Sequence, residues 1–270
     1  MSIQNFIPKI WSARLLEHLD NALVADNFFN RNWEGEIRDH GDTVRINQIG
    51  NITIADYVRN QDMTPPQELE GVAQELIIDQ AKMYNFQIDD VDDAQTKPKL
   101  MNAAMERSAF ALADVQDTWL FGLLAAQAQG QLGALAITNP DDAFALLVQM
   151  RTMLTAENVP SQGRKVAVPP EMVGMLLRDD RFTATGSGDA EGRLKTGLIG
   201  RAVGFDIFEV NTTDNRVIAG HDIGATFASQ LIKTEAYRME RRFADGVKGL
   251  SVYGARVTIP EAFTVATVSF

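Results

Sequence analysis

Small and apolar side chains recur every three or four positions between residues 98 and 127, which is the spacing of one face of an α-helix. The positions that share this face are Leu100, Ala104, Ser108, Ala111, Val115 and Trp119, with Met101, Leu112, Leu120 and Leu123 beside them. About 30 residues at 1.5 Å each predict a helix of roughly 45 Å. An average globular helix has only about 11–12 residues, so the neighbouring segments have to explain this length.

Strict alternation of apolar and polar residues precedes this helix. The alternating apolar residues are Val44, Ile46, Leu76, Ile78, Tyr84, Phe86 and Ile88. They predict a β-hairpin whose two long arms are joined by residues 55–71. Because a two-stranded ribbon with about twelve residues in each arm is not stable alone in water, we expect it to lie on another subunit. The alternative is a pair of strands in a larger sheet of the same chain, joined by a long loop.

The remainder of the chain mixes helices and strands and indicates an α+β fold. Asn139 begins a second helix, residues 164–168 predict a buried strand, and the proline pair that follows begins a third helix. Residues 182–200 are rich in glycine and threonine and predict a mobile loop. Strands are predicted near 203–207 and 216–219, and three more within 225–270. Glycines predict the end of the long helix, at Gly130 and Gly133, and a turn, at Gly246 and Gly249.

The composition limits the classes of function. The chain has 270 residues, 45% of them hydrophobic, a formal net charge of −11 and no cysteine. Disulfides, cysteine metal sites and cysteine nucleophiles are therefore excluded, and an acidic protein is poorly suited to sequence-specific binding of nucleic acid. No apolar run reaches the roughly 18 residues of a membrane span, and the N-terminus does not resemble a signal peptide. We expect a soluble protein that is made in the cytoplasm and has no membrane partner.

No pattern of residues predicts a catalytic, cofactor-binding or metal site. The histidines, His18, His40 and His221, lie in separate regions without metal-ligand spacing. The glycines of GSGDAEG do not match the dinucleotide fingerprint. A nucleophile elbow and a phosphate-binding lysine motif are also missing. The sequence therefore predicts neither enzymatic activity nor a cofactor.

Candidate contact residues lie in segments that are not predicted to form a core. Phe28, Phe29 and Trp33 stand in a polar context and predict an arm that packs on a neighbouring subunit, or alternatively on its own chain. Acidic residues outnumber basic ones in residues 1–100, and the reverse holds for 225–270. This asymmetry favours head-to-tail contact between copies, or else a solvated mixed surface. The complete set of subunit-interface candidates is Phe28, Phe29, Trp33, Arg45, Tyr57, Arg59, Met63, Arg238, Arg241 and Arg242.

Four stretches, in this order of elements, resemble the major capsid (coat) proteins of tailed bacteriophages, which have the Hong Kong ninety-seven type fold. They are IPKIWSARLLEHLDNALVADNFFNRNWEGEIRDHGDTVRI, VAVPPEMVGMLLRD, GLIGRAVGFDIFEVN and LIKTEAYRMERRFADGVKGLSVYGARV. The resemblance covers nearly the whole chain. It implies an N-arm (residues 1–40), an extended β-hairpin loop (41–93), a peripheral domain with a spine helix (94–138 and 225–270) and an axial domain (139–224).

The resemblance also implies a function. It indicates a structural protein that assembles through pentamers and hexamers into an icosahedral shell, enclosing double-stranded DNA without sequence-specific binding. The implied partners are copies of the chain itself, a separate scaffolding protein, a portal and a decoration protein. Assembly would occur in the host cytoplasm, and the final location would be the virion. The alternatives are an encapsulin, which uses the same fold as a cellular compartment, and a soluble α/β enzyme, for which no active-site motif is recognisable.

Overall fold

The structure is a computed structural model, and it describes residues 23–32, 43–49, 54, 56, 59, 62, 71–89, 100–179, 198–211, 215–240 and 243–270. A short 3₁₀-helix, Ala25–Phe28, comes first. In the described part of the chain the α-helices are α1 Leu100–Gln127, α2 Pro140–Ala156 and α3 Pro170–Leu176. The strands are β1 Thr43–Ile49, β2 Gly71–Ile77, β3 Gln80–Asp89, β4 Gly130–Ala136, β5 Lys165–Val168, β6 Leu198–Ala202, β7 Phe205–Glu209, β8 Arg216–Gly220, β9 Ala225–Arg238, β10 Ala244–Val257 and β11 Phe263–Ser269. The mixture confirms the predicted α+β class.

Helix α1 confirms the predicted long helix. It has 28 residues, or about 42 Å at 1.5 Å per residue. The positions that the sequence placed on one face are only partly buried, because Ala111 and Val115 are exposed whereas Leu112 and Leu120 are buried. The buried face instead carries Met105, Ala109, Leu112, Gln116, Leu120 and Leu124. Apolar residues occupy more than one side of this helix, so its periodicity does not identify the side that the sheet covers.

A three-stranded antiparallel sheet, in the order β3-β10-β9, packs against α1. Gln116 of the helix donates to Ser251 Oγ at 3.3 Å. One turn further along, Trp119 meets Tyr253 edge-on, with ring centroids 5.4 Å apart. Nearer the start of the helix, Val247 of β10 belongs to a buried cluster formed with Leu23, Met105, Ala109, Leu112 and Ala113. The central strand β10 therefore follows the helix along much of its length.

The predicted hairpin is present, but its return arm is divided between two sheets. β1 pairs antiparallel with β2, from Thr43 opposite Ile77 to Ile49 opposite Gly71. β3 does not prolong this ribbon, because it pairs antiparallel with β10 instead. The alternating residues between 76 and 88 therefore belong to two strands with different partners.

The root of the ribbon lies on its own chain. A buried cluster joins the ribbon to β9 and β10 and consists of Val44, Ile46, Leu76, Ile78, Ala228 and Val252. Burying each large aliphatic side chain of this kind stabilises the fold by about 1.5–3 kcal/mol. Gln74 of β2 also donates to the Thr258 carbonyl at 3.1 Å. The prediction that the ribbon lies on another subunit is therefore wrong for its root.

A mixed six-stranded sheet has the order β4-β11-β8-β5-β7-β6. The pairs β4–β11 and β5–β7 are parallel, and the other neighbours are antiparallel. Val217, Ile218 and Ala219 of β8 are all buried, so both faces of the sheet are covered. The sheet combines β4 and β11 with strands from residues 139–224. The sequence did not predict β4, since Gly130 and Gly133 interrupt its alternation.

Helix α2 begins directly after Asn139, the predicted N-cap residue. Asp142 Oδ2 accepts the N–H groups of Thr138 and Asn139, both at 3.1 Å, and the Thr138 hydroxyl at 2.9 Å. These hydrogen bonds, with the Thr138 hydroxyl contributing most, lower the pKa of Asp142. The predicted strand at 164–168, the third helix and the strands at β7 and β8 are also confirmed. Residues 182–197 of the predicted mobile loop lie outside the described residues.

Arg164 is a buried charge that joins α2 to β5, with only 3% of its surface exposed. Its Nε donates to the Pro160 carbonyl at 2.8 Å, and its Nη2 donates to the Val159 carbonyl at 2.6 Å. Its Nη1 donates to Thr155 Oγ1 at 2.9 Å. These acceptors lie at the C-terminal end of α2, where the helix dipole favours a cation. Arg164 therefore fixes the loop that connects α2 to strand β5 of the six-stranded sheet.

We expect Arg164→Met to lower the free energy of unfolding by about 3 kcal/mol or more, because it leaves the carbonyl groups of Val159 and Pro160 without their side-chain donor. Urea denaturation followed by circular dichroism measures this change. Arg178→Met is the matched control at an exposed arginine, and it should change stability by less than about 0.5 kcal/mol. Equal effects of the two substitutions would show that the hydrogen bonds of Arg164 contribute little.

Candidate assembly surfaces

Aromatic packing fixes the N-terminal segment, residues 23–32, to the body of its own chain. The Phe28 ring meets Phe121 edge-on at 5.5 Å between centroids and Phe208 at 6.0 Å. The Phe29 ring lies 6.1 Å from Phe227. Phe28 is 0% exposed and Phe29 is 5% exposed. These two interface candidates therefore pack on their own chain, as the alternative held, and in this conformation they offer no surface to a neighbour.

Backbone hydrogen bonds join the same segment to the start of β9. The Asn30 N–H donates to the Ala225 carbonyl at 2.9 Å, and the Phe227 N–H donates to the Asn30 carbonyl at 3.0 Å. The Arg31 guanidinium lies 5.6 Å above the centre of the Phe227 ring and pairs with Asp26 at 2.7 Å. The segment is thus attached to β9 before the chain passes on towards the ribbon.

Asp117 of α1 holds the other end of this segment. Its Oδ2 accepts the Val24 N–H at 3.1 Å, and its Oδ1 accepts the Ala25 N–H at 3.0 Å. Both N–H groups belong to the first turn of the 3₁₀-helix, so a carboxylate from another element caps that turn. Burial raises the pKa of Asp117 from 3.8 to about 6, with smaller contributions from the nearby carboxylates of Asp114 and Asp26, and the two hydrogen bonds oppose this shift.

A tyrosine of β3 crosses the central strand on the face turned towards α1. The Tyr84 ring lies over Gly249, where a Cβ atom would be 2.3 Å from Cε1 of the ring. Beyond this glycine, the Tyr84 hydroxyl lies 3.2 Å from Thr234 Oγ1 on β9. One side chain therefore ties all three strands together, and it can do so only because the central position has no side chain.

A second tyrosine crosses the opposite face of β10 in the reverse direction. Tyr237 of β9 lies over Gly246, where a Cβ atom would be 2.5 Å from the ring, and its hydroxyl donates to Asn85 Oδ1 of β3 at 2.9 Å. The turn predicted at Gly246 and Gly249 is therefore wrong. Both glycines lie inside β10 and provide room for aromatic rings.

An apolar groove of about 620 Å³ lies between α1 and β3. Residues that define its floor and rim include Lys82, Met83, Phe86, Arg107, Ala111 and Val115. Met83 is 83% exposed and Val115 is 43% exposed, and adjoining exposed apolar side chains of this size mark contact sites. The sequence missed this surface because the groove exists only where β3 lies beside the helix. The one available sequence signal was Met83, an apolar residue that lies out of phase with the alternating apolar residues Tyr84 and Phe86.

The charged interface candidates lie apart on different elements. Arg45 of β1 faces Glu75 of β2 at 3.7 Å, and Arg238 of β9 pairs with Asp245 of β10 at 3.0 Å. Both pairs are exposed, and such pairs contribute little to stability. Arg59 is also exposed. The candidates that lie outside the described residues are Trp33, Tyr57, Met63, Arg241 and Arg242.

Within the described residues, no group of three or more His, Cys, Asp or Glu side chains could hold a metal ion. No helix in this part of the chain is long and apolar enough to cross a membrane.

Comparison with known proteins identifies relatives by structure. No family model and no curated protein matches the chain. A chain from Mycobacterium phage Che8 is 32% identical, with a TM-score of 0.72, and the match covers 90% of each chain. The capsid of Cyanophage P-SCSP1u is 14% identical, with a TM-score of 0.67 over 86% of this chain and 85% of that one. A virus-like particle from Pyrococcus furiosus is 12% identical, with a TM-score of 0.59 over 96% and 99%. The last two matches show a shared fold.

We expect Gly249→Ala to destabilise the subunit by about 1–3 kcal/mol, because the added methyl displaces the Tyr84 ring and breaks its contact with Thr234. Gly122→Ala is the matched control, since nothing lies within 4 Å of the Cβ position of this exposed helical glycine. Replacing it should stabilise the subunit by about 0.5–1 kcal/mol. Thermal unfolding of both variants measures the difference. A neutral effect of Gly249→Ala would show that the ring moves aside without cost.

Proposed function

Since this chain belongs to the major capsid proteins of tailed bacteriophages, with the Hong Kong ninety-seven type fold, we propose that its copies assemble through pentamers and hexamers into an icosahedral head shell that encloses double-stranded DNA. The observation that carries this proposal is the 32% identity with the Mycobacterium phage Che8 chain over 90% of both chains. The chain is a structural protein of the virion, and the proposed site of assembly is the host cytoplasm. An encapsulin-type compartment is less well supported, because the Pyrococcus furiosus particle shares only 12% identity.

The charge of the chain is compatible with a wall around DNA. A formal net charge of −11 repels phosphate groups at short range, so packaged DNA would not bind tightly to such a wall. A separate scaffolding protein, a portal and a decoration protein are the further partners that we propose on the family resemblance. The division into an N-arm (residues 1–40), an extended loop (41–93), a peripheral domain (94–138 and 225–270) and an axial domain (139–224) is likewise a proposal.

We assign the groove between α1 and β3 to the ribbon of a neighbouring copy. Residues 55–71 of the ribbon carry four acidic side chains and one basic one. Lys82 and Arg107 border the groove with positive charge, above an apolar floor that includes Val115. In the same part of the ribbon, Ile54 is 92% exposed on its own subunit. The charges and the apolar surfaces of the two elements are thus complementary.

The remaining interface candidates fit the same arrangement. Tyr57, Arg59 and Met63 belong to residues 55–71 of the sequence, the segment assigned to the groove, and Arg45 lies on β1. Arg238, Arg241 and Arg242 lie at the basic end of the chain, where they would meet acidic surfaces of a neighbour. Salt screens exposed ion pairs of this kind between subunits. We therefore propose that these ion pairs influence the order in which subunits dock more than the final stability of the shell.

Assembly of the purified chain tests the proposed function. Electron microscopy and sedimentation should show rings, shells or tubes at high protein concentration. Deleting residues 56–70 should leave the monomer folded, because the buried root of the ribbon remains, but it should abolish these assemblies. Circular dichroism and thermal unfolding monitor the monomer. A wild-type chain that stays monomeric under all conditions would refute the shell function, whereas normal assembly of the deletion variant would refute only the role of the ribbon.

A substitution in the groove tests the assigned docking site. Val115→Asp should reduce the assembled fraction at least about tenfold, because a carboxylate on the apolar floor of the groove loses solvation and repels the acidic ribbon, at a cost well over 1.4 kcal/mol. Val148→Asp is the matched control, since Val148 lies on α2 and is 41% exposed compared with 43% for Val115. The control should assemble like the wild type, and both monomers should remain folded. Equal assembly of the two variants would exclude the groove as the docking site.

A further inference from the structure

The hairpin formed by β9 and β10 ends in an exposed aromatic side chain. Arg238 pairs with Asp245 across the last rung of the hairpin at 3.0 Å, and beyond it the Met239 N–H donates to the Ala244 carbonyl at 3.1 Å. Phe243 lies at this closed end and is 80% exposed. Because aromatic residues are enriched in protein interfaces, this ring at the tip of a hydrogen-bonded hairpin is a candidate anchor for a partner.

A surface cavity of about 180 Å³ lies between the C-terminal half of α1 and the strands β7 and β8. Its floor is apolar and includes Phe121 and Ile218, which are 3% and 1% exposed. Its rim includes Asp114 and Thr118, which are exposed on the helix, and Glu209, which is exposed on β7. An engineered protein cavity of about 150 Å³ binds benzene, so this cavity has room for the ring of one aromatic side chain.

The cavity and the hairpin tip carry opposite charge. The ionisable side chains that line the cavity are three acids and one base: Asp114, Asp117, Glu209 and Arg216. At the tip, the sequence places Arg241 and Arg242 directly before Phe243, and one acid, Glu240, before them. An aromatic ring beside two arginines therefore complements an apolar floor within an acidic rim.

The hairpin tip cannot reach the cavity of its own chain. β10 runs antiparallel to α1, because Tyr253 meets Trp119 at the level of the cavity whereas Val247 packs near Met105. From Tyr253 to the start of the strand at Ala244 the chain runs about 30 Å, at about 3.3 Å per residue. The tip and the cavity therefore lie near opposite ends of the subunit, and only another copy can bring them together.

We propose that the β9–β10 hairpin tip of one copy inserts Phe243 into the cavity beside α1 of a second copy, where Arg241 and Arg242 meet the acidic rim. Since the two surfaces differ and lie at opposite ends of the subunit, the contact is head-to-tail and can close into a ring. This inference rests on the proposed assembly and names one contact within it. The contact is separate from that of the ribbon, whose groove lies between α1 and β3.

Truncation of the aromatic ring tests the anchor. Phe243→Ser should reduce the assembled fraction at least about tenfold, at a protein concentration where half of the wild type is assembled, because a few buried anchors carry most of the binding energy of an interface. Phe270→Ser is the matched control, since Phe270 is also exposed, at 45%, but lies after β11. Both monomers should remain folded. Equal assembly of the two variants would overturn the proposal.

Cysteine cross-linking tests which surfaces meet, because the chain has no cysteine of its own. One preparation carries Glu240→Cys, which keeps Phe243 and both arginines at the tip, and a second carries Thr118→Cys at the rim of the cavity. The two are mixed, assembled and treated with a short thiol-reactive cross-linker. Electrophoresis should then show a covalent dimer that neither variant gives alone. Val148→Cys, exposed on α2, replaces Thr118→Cys in the control mixture and should give no mixed dimer.

The cross-linking result separates this inference from the proposed function. Assembled particles without the mixed dimer would overturn the tip-to-cavity contact and leave the shell function standing. A dimer formed by Glu240→Cys alone would also overturn it, because it would show that hairpin tips meet each other. Failure of the wild type and of every variant to assemble would refute the proposed function and this contact with it.

Discussion

The burial of β10 on both faces between Ser251 and Gly254 is the constraint on which the rest of this structure depends. One face packs against α1 through Val247 and Tyr253, and the other lies under the root of the ribbon through Val252. At Gly254 the Ile77 carbonyl comes so close that a Cβ atom would lie 2.2 Å from its oxygen. A single strand therefore fixes the long helix and the ribbon relative to each other.

This arrangement explains how one subunit can present contact surfaces that are far apart. The helix is about 42 Å long, and β10 stiffens it along one side while the six-stranded sheet covers its C-terminal part. The two tyrosines that cross Gly246 and Gly249 bind β3 and β9 to the same strand. A thin three-stranded sheet thus becomes rigid enough to form one wall of a groove. A protein that functions by assembly needs such rigid, separated surfaces more than it needs a reactive centre.

The N-terminal segment is attached by two different kinds of contact. Aromatic packing around Phe28 fixes where the segment lies. The hydrogen bonds from the Val24 and Ala25 N–H groups to Asp117 fix how its first turn meets α1. Both contacts lie within one chain, so this part of the N-terminal segment is held by its own subunit.

The sequence alone determined the type and length of most elements, because local periodicity and caps act within a few residues. The long helix, the start of α2 at Asn139, and the strands β1, β5, β7 and β8 were predictable for this reason, and the family followed from four stretches of sequence. The tertiary structure decided which face of α1 is buried, which partner β3 takes, and that β4 joins β11. These depend on contacts between residues more than a hundred positions apart, such as Gln116 with Ser251. The groove beside Val115 and the buried position of Phe28 were decided in the same way, since both are created by long-range packing that no local pattern records.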